Sequence, residues 1–563
     1  MPAGDDHVAT CTPPGVSATA DHELNSVERP EVATMISKKT LFVAALFGIA
    51  AAAGPGMLGL PFGASNSPAI AAAADAPAPG ADLNQSAETP TPEFQATDAS
   101  LNTYHTPAWF SQARFGIWAH WDASSVPGIS NGFPRDMYLP GTPDYAWFVK
   151  HFGPQSKFGF KDVIRSWKAE RFDPEALMEK FKAAGARYFV ALASHHDNFD
   201  NFDSTYNPWN SVKEGPHRDI VGDWRKAAIK NGLRFGVSWH ADQRGWSYYH
   251  GIPTADTTGP FAGVPYDLSD PANYSLYNPP HDPKAKPSAD WLDRWTKRQI
   301  DLIDKYHPDL LYYDGGISFP NDGGRAVVAH FLNTNRADHN GVNEGVINTK
   351  NDNFTRDYER GLAYAIQPKP WQDDSSLGGW FFINDAIADR ASKSKDTGTV
   401  IATIADAASK NGNVLMNMPM KGDGSLYLEC EKVLADLAKW MPINGEAIFG
   451  THAWLISHQG PTDLPSAKYM NELYHPMTWQ DIRFTSRQGA DGKTIVYAIC
   501  LGIPQGPIVI PALGRLGPSV SNVELLGTPE KVSYKSDWNG LTINPLSKYP
   551  CDFAVVFKLT LND

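Results

Sequence analysis

Tyr188-Phe189-Val190-Ala191-Leu192-Ala193-Ser194-His195-His196-Asp197-Asn198-Phe199-Asp200 is an apolar, strand-forming run that ends in two imidazoles and a carboxylate. Groups of that kind at the end of a buried strand are costly unless they meet a polar partner. The pattern occurs earlier at Phe115-Gly116-Ile117-Trp118-Ala119-His120-Trp121 and later at Leu310-Leu311-Tyr312-Tyr313-Asp314-Gly315-Gly316. Repeated strands that finish on titratable residues predict a (β/α)8-type barrel, in which the reactive groups sit where the strands end.

Around these strands the helical signals alternate as an α/β fold requires. Pro174 to Ala184 is amphipathic, with Asp173 as its cap and proline in its first turn. Asp223 to Lys230 is helical and stops at Asn231-Gly232, before the strand Arg234-Phe235-Gly236-Val237-Ser238-Trp239-His240. Trp291 to Tyr306 is a longer helix leading to the strand that ends at Asp314. Gly345 to Thr349 is read as strand five, and the helix Thr399 to Lys410 feeds Asn413 to Asn417. After Gly445 only short strand patterns remain, broken by Gly, Pro, Asn and Asp, which predicts an all-β sandwich. The expected organisation is an α/β barrel domain over residues 101–445 and a C-terminal β-sandwich over 446–563.

Residues 1–74 read as an N-terminal extension and export signal. Met35-Ile36-Ser37-Lys38-Lys39 precedes an apolar run from Leu41 to about Leu60 and the small-residue stretch Ala69 to Ala74. Met35 is a candidate start. A retained membrane anchor is the rival reading, which Gly54-Pro55-Gly56 interrupts. Residues 75–100, rich in Ala, Pro, Thr and Asp, read as a disordered linker. The sequence therefore predicts an exported protein with no span in its mature form unless the signal is retained. The net charge of −13, with no basic stripe, excludes a nucleic-acid partner. The four cysteines contain no CxxC pair, which argues against a cysteine-based zinc site; Cys500 and Cys551 are left open between a disulfide and two buried thiols.

Asp314 is the sharpest candidate for chemistry. A rigid strand would fix its carboxylate and Gly315-Gly316 would leave room for a ligand, so it could attack an anomeric carbon. The competing reading is an ordinary Asp-Gly turn. A retaining glycosidase also needs a carboxylic acid, and Glu359, Asp373 and Asp374 are the candidates. His195-His196-Asp197 contains metal-competent ligands, but His-x-x-x-His and His-Glu-x-x-His are absent. Asp197 to Asp203 lacks the register and central glycine of a calcium loop. No metal and no cofactor are expected.

Several ordered motifs make the chain resemble glycoside hydrolase family 29, the α-L-fucosidases. They are Trp109 to Trp121 followed by Ser125-Val126-Pro127-Gly128, Ala184 to Phe199, Asp203-Ser204 with Asn210-Ser211-Val212, Gly412 to Asn417 and Asn444 to Gly450. The resemblance implies a retaining exo-glycosidase that releases terminal α-L-fucose from a fucosylated oligosaccharide or glycoconjugate by double displacement. It implies Asp314 as nucleophile, and His120, His195 and His196 as ligands of sugar hydroxyls. Trp121, Trp239, His240 and Trp371 are expected to line the pocket. Neutral imidazoles both donate and accept hydrogen bonds, which suits hydroxyl recognition.

Four departures stand out. Ser194 and Asn198 replace the Lys and Gly of the usual Lys-His-His-Asp-Gly-Phe wording. Trp371-Gln372 stands where many members have Trp-Glu, and a Glu-Trp pair is missing near Gly132 to Tyr138. Glutamine cannot exchange a proton, so Glu359 is the expected acid/base, with Asp373 as runner-up. Two alternatives follow: a glycan-binding homologue without catalysis, or a glycosidase of this fold acting on a galactoside.

Overall fold

The computed structural model describes residues 90–282, 284–384, 394–462, 477–514 and 516–562. The expected export signal, Cys11 and most of the expected linker lie outside that range. No helix among the described residues is long and apolar enough to cross a membrane.

Eight parallel strands close into a barrel in sequence order: β1 Phe115–Ala119, β2 Tyr188–Ser194, β3 Arg234–Trp239, β4 Leu310–Tyr313, β5 Val346–Thr349, β6 Thr355–Glu359, β7 Trp371–Ser376 and β8 Gly412–Asn417. β8 closes on β1 with Phe115 opposite Val414. The alternation of side chains sorts each strand between two cores. Inward-facing Trp118, Tyr188, Val190, Leu310, Tyr312, Val346 and Leu415 share the barrel interior. Phe115, Ile117, Ala119, Trp121, Phe189, Ala191, Val237 and Trp239 face the surrounding helices. Gly116 belongs to the interior set, because a Cβ there would lie 2.4 Å from the Tyr188 ring.

The helices Pro174–Ala183, Ile220–Lys230, Ala289–Tyr306 and Thr397–Ala408 form where the sequence places them, within two or three residues. Asp173 caps the first by accepting from Ala176 N. Among the described residues no helix follows β5 or β6, so the ring of helices around the closed barrel is incomplete on that side. Residues 90–101, which include the end of the expected linker, pack onto the helix Arg325–Asp338. Phe94 is buried, its N–H donates to Asn333 Oδ1, and Asp98 pairs with Arg325 at 2.6 Å. The linker reading therefore does not extend past residue 89, because Phe94 and Leu101 supply apolar anchors that composition alone did not weigh.

The helix Leu428–Asn444 leads to two antiparallel sheets. One holds β13-β16-β11-β10-β9, comprising Val520–Leu525, Val555–Leu561, Thr494–Cys500, Ile482–Gln488 and His452–Gln459. The other holds β12-β15-β14, comprising Ile508–Ile510, Gly540–Ile543 and Tyr534–Asp537. Val496, Ala498, Phe557, Ile510 and Leu541 fill the space between them. The alternate residues Tyr497, Ile499 and Val556 turn the other way and join the core around the barrel. The chain is thus a (β/α)8-type barrel followed by a β-sandwich. Cys500 and Cys551 are free thiols.

Candidate active site

Because the eight strands are parallel, their C-terminal ends share one rim, and the polar ends seen in the sequence converge there. His120 follows β1, His195 and His196 follow β2, His240 follows β3 and Asp314 follows β4. The rings of His120, His195 and His240 lie 5.0–5.3 Å apart, centroid to centroid. The His196 ring lies 4.4 Å from that of His195, tilted by 46°.

One oxygen of Asp314 collects three basic groups: Arg244 Nη1 at 3.2 Å, His196 Nε2 at 3.4 Å and His240 Nδ1 at 3.5 Å. Burial alone would raise its pKa, but contacts with the two histidines and the charge of Lys350 hold the carboxyl well below the usual carboxylate range. Asp314 is therefore ionised and fixed at the barrel mouth. Gly315 follows at φ +145°, so glycine here is a conformational requirement.

Burial, and next the neighbouring imidazoles, hold His120 and His195 well below the ordinary histidine value; burial also lowers His240. Nδ1 of His120 and Nε2 of His240 are buried without hydrogen-bond partners. Neutral rings with unpaired nitrogens are what a polyhydroxylated ligand needs. Donor atoms of His120, His195 and His240 also come within 4.8 Å of one another, as do those of His196, His240 and Asp314, a spacing that a transition metal could span.

The second half of the rim carries acids around a cation that the sequence reading missed. Lys350, just after β5, reaches Asp357 at 2.5 Å, Asp374 at 2.8 Å and Glu359 at 3.9 Å. Burial works against its charge, but Asp357 and Asp374 more than offset this and keep it protonated. Burial and the Asp374 charge push Asp357 well above the usual range. Tyr312 donates to Asp374 at 2.6 Å. Glu359, the last residue of β6, stands at the rim beside Lys350. Asp373 faces away from the interior and accepts from Gly361 N, because it alternates with Gln372 and Asp374 on β7. Gln372 lies within the barrel, accepting from Tyr188 and donating to Asp357 at 2.7 Å. In this chain the glutamine anchors an acid below the rim.

Three expected pocket residues are corrected. Trp121 packs on Trp167 and Phe172 and donates to Lys421 O, on the helical side of β1. Trp239 donates to Ala241 O and carries the Arg298 guanidinium over its outer face. Trp371 begins β7 at the opposite end of the barrel and donates to Lys410 O. In each of the first two cases the neighbouring histidine faces the cavity, so the tryptophan cannot. The aromatic groups at the cavity are instead Trp118, stacked 5.6 Å from His240, and Phe381, 4.5 Å from His120 and 5.0 Å from His195. Asn417, at the end of β8, ties this wall together by accepting from His120 N and donating to Trp380 O. Period-two counting along Trp118-Ala119-His120-Trp121 carried the signal for Trp118; nothing local marked Lys350 or Phe381.

The structure also accounts for two departures from the motif. Asn198 adopts φ +66°, a conformation that glycine takes freely and asparagine tolerates, and its amide donates to Gly245 O and Leu276 O. Ser194 Oγ accepts from Arg298 Nη2, part of the pair that Arg298 makes with Asp200.

The sequence profile of the family described as Alpha-L-fucosidase matches residues 82–446. The human tissue alpha-L-fucosidase is 27% identical over 479 residues, covering 82% of this chain and 90% of that protein. An alpha-L-fucosidase of Branchiostoma floridae is 26% identical, covering 83% of this chain and 96% of its own length. The crystal structure of Thermotoga maritima alpha-fucosidase superposes with a TM-score of 0.63 at 26% identity, over 83% of this chain and all of that one. A further structure of the Thermotoga enzyme, in complex with fucose, has the same TM-score and identity. With the barrel, its ionised rim aspartate and this match over most of the length, the chain belongs to the α-L-fucosidase family.

Proposed function

We propose that this protein is a retaining exo-glycosidase that hydrolyses terminal α-L-fucose from fucosylated glycans. The observation that carries this reading is Asp314, an ionised carboxylate set among His196, His240 and Arg244 at the mouth of the barrel. Its free electron pair attacks C1 of the fucoside, and the C1–O bond to the leaving group breaks. Glu359 gives its proton to the departing oxygen. In the second step the Glu359 carboxylate removes a proton from water, and the resulting oxygen attacks C1 and releases Asp314. His120, His195 and His240 hold the hydroxyls, and Phe381 offers an apolar surface to the C5 methyl group. Lys350 keeps the acids of the second half-rim in place.

Assay of aryl α-L-fucosides and fucosylated oligosaccharides, beside aryl galactosides, tests the reading. Asp314→Ala is expected to lose at least about 10³-fold in kcat, as expected when a covalent nucleophile is removed. Glu359→Gln is expected to lose about 10²–10⁴-fold on glycans but far less on aryl substrates, whose leaving groups need no proton. Unchanged turnover in Asp314→Ala, or preference for galactosides, refutes it. Export is part of the proposal and rests on the Met35 to Ala74 pattern. N-terminal sequencing of the protein from its producing cells should find a start downstream of that segment; a mature chain beginning at residue 1 would refute export.

A further inference from the structure

We propose that Asp122 and Asp197 act as a carboxylate pair behind the pocket that positions His195 towards the sugar. The role assigned to His195 rests on the fucosidase reading above. Asp122 lies in the turn after β1, where Oδ1 accepts from Ser124 N at 2.7 Å. Asp197 lies in the turn after β2, where Oδ1 accepts from Phe199 N at 2.9 Å. Each aspartate thus commits one oxygen to the backbone. Oδ2 of Asp122, Oδ2 of Asp197 and Nδ1 of His195 are all buried and have no hydrogen-bond partner. The three side chains are 1%, 0% and 6% exposed, and one carboxylate oxygen of each aspartate and one ring nitrogen of His195 lie within 4.8 Å of one another.

Unpartnered buried polar atoms are costly, and here they belong to three side chains that converge. One arrangement satisfies all three. Two carboxylates this close share a proton. The pair then carries a single charge and accepts the Nδ1 proton of His195. The bond is not formed in the structure as it stands and closes when a sugar enters the pocket, as hydrogen bonds at active sites often tighten on binding. The Nδ1–H tautomer leaves a lone pair on Nε2, turning His195 into an acceptor for a sugar hydroxyl. The surroundings fit. Burial and the Asp122 charge push Asp197 well above the usual carboxylate range, and burial pushes Asp122 up to about 6. Arg298 faces Asp197 from the long helix but is committed to Asp200 at 2.5 Å. Tyr248 and Tyr249 face the pair from the loop after β3, and Asp200 adds a further negative charge. Asp122 and Asp197 are positioning residues, since they act on substrate only through the ring.

Two measurements test this. The first needs no activity: ¹⁵N spectra of histidine-labelled wild-type protein, with His195→Gln assigning the signal, should show His195 as the Nδ1–H tautomer. An Nε2–H tautomer overturns the proposal. The second is a cycle. Asp122→Asn with Asp197→Asn places amides that donate to Nδ1 and reverse the tautomer, and should lower kcat/KM on an aryl α-L-fucoside at least tenfold. In a His195→Gln background the same pair of substitutions should cost nothing further. Full additivity of the two losses overturns the proposal and leaves a merely structural role. One equivalent of a divalent metal in the purified protein, lost from the double variant, would also overturn it by assigning the cluster to an ion. If wild-type protein releases no fucose, the functional reading fails, and the tautomer measurement alone decides the aspartate pair.

Discussion

At single residues the site is governed by a contest between burial and partners. Asp314 and His240 are both deeply buried, yet the aspartate keeps its charge because basic groups face it, while the histidine loses proton affinity because burial outweighs the pull of the Asp314 carboxylate. His120 and His195 go the same way as His240 and more strongly. The sign of the pH effect follows. An ordinary imidazole begins to charge near pH 6.5. These rings stay neutral as pH falls through that value and protonate only at their lowered values. Competitive inhibition by fucose should therefore hold the same inhibition constant from pH 8 down to about 6. Weakening with a midpoint near 6.5 would show that ordinary histidines hold the sugar. The same shifts make stability fall as pH drops below about 6.5, because the unfolded chain then binds protons that the buried rings refuse.

At the scale of the strand, facing matters more than residue type. Along β1 and just past its end, Trp118 and His120 face the cavity, while Trp121 belongs to the outer core. Trp121→Phe should therefore cost stability, about 1–3 kcal/mol from lost volume and the lost bond to Lys421 O, with KM unchanged. Trp118→Phe removes the support stacked on His240, and should lower kcat/KM at least about tenfold by loosening the ring. Activity assays with urea melts on both variants separate the two faces; a raised KM in Trp121→Phe would contradict the assignment. The strand ends themselves were legible because a buried apolar run tolerates a terminal His or Asp only where polar partners meet it. Assigning Trp121 and Trp239 to the pocket went wrong because two adjacent residues on a strand face opposite ways. Lys350, Asp357 and Asp374 were harder to read. Their strands are short and polar, no helix among the described residues follows β5 or β6 to mark a repeat, and the three meet only once the barrel closes.

At the scale of the whole molecule, the barrel and the sandwich are joined by more than apolar contact. Asp406, on the helix Thr397–Ala408, accepts from Lys410 Nζ at 2.5 Å and from Arg483 Nε of β10 at 2.6 Å. All three groups are buried, and Trp440 adds a bond to Ala554 O across the same junction. Burial alone would raise the Asp406 pKa, but the two cations bring it below the ordinary carboxylate value. The carboxylate thus contributes stability in full above the ordinary carboxylate range, and the contribution is lost as pH falls through the depressed value. Asp406→Asn keeps the shape and removes the charge, leaving Lys410 and Arg483 buried without a counter-ion. The expected cost is about 3–5 kcal/mol, the usual result of breaking one side of a buried ion pair. Urea unfolding at pH 7 should show that loss, and the gap from wild type should narrow towards pH 3 as the native aspartate takes up its proton. Because Asp406 lies outside the strand-end rim, the folded variant should retain the wild-type KM. A raised KM in protein that remains folded would mean that the sandwich shapes the sugar pocket through this junction.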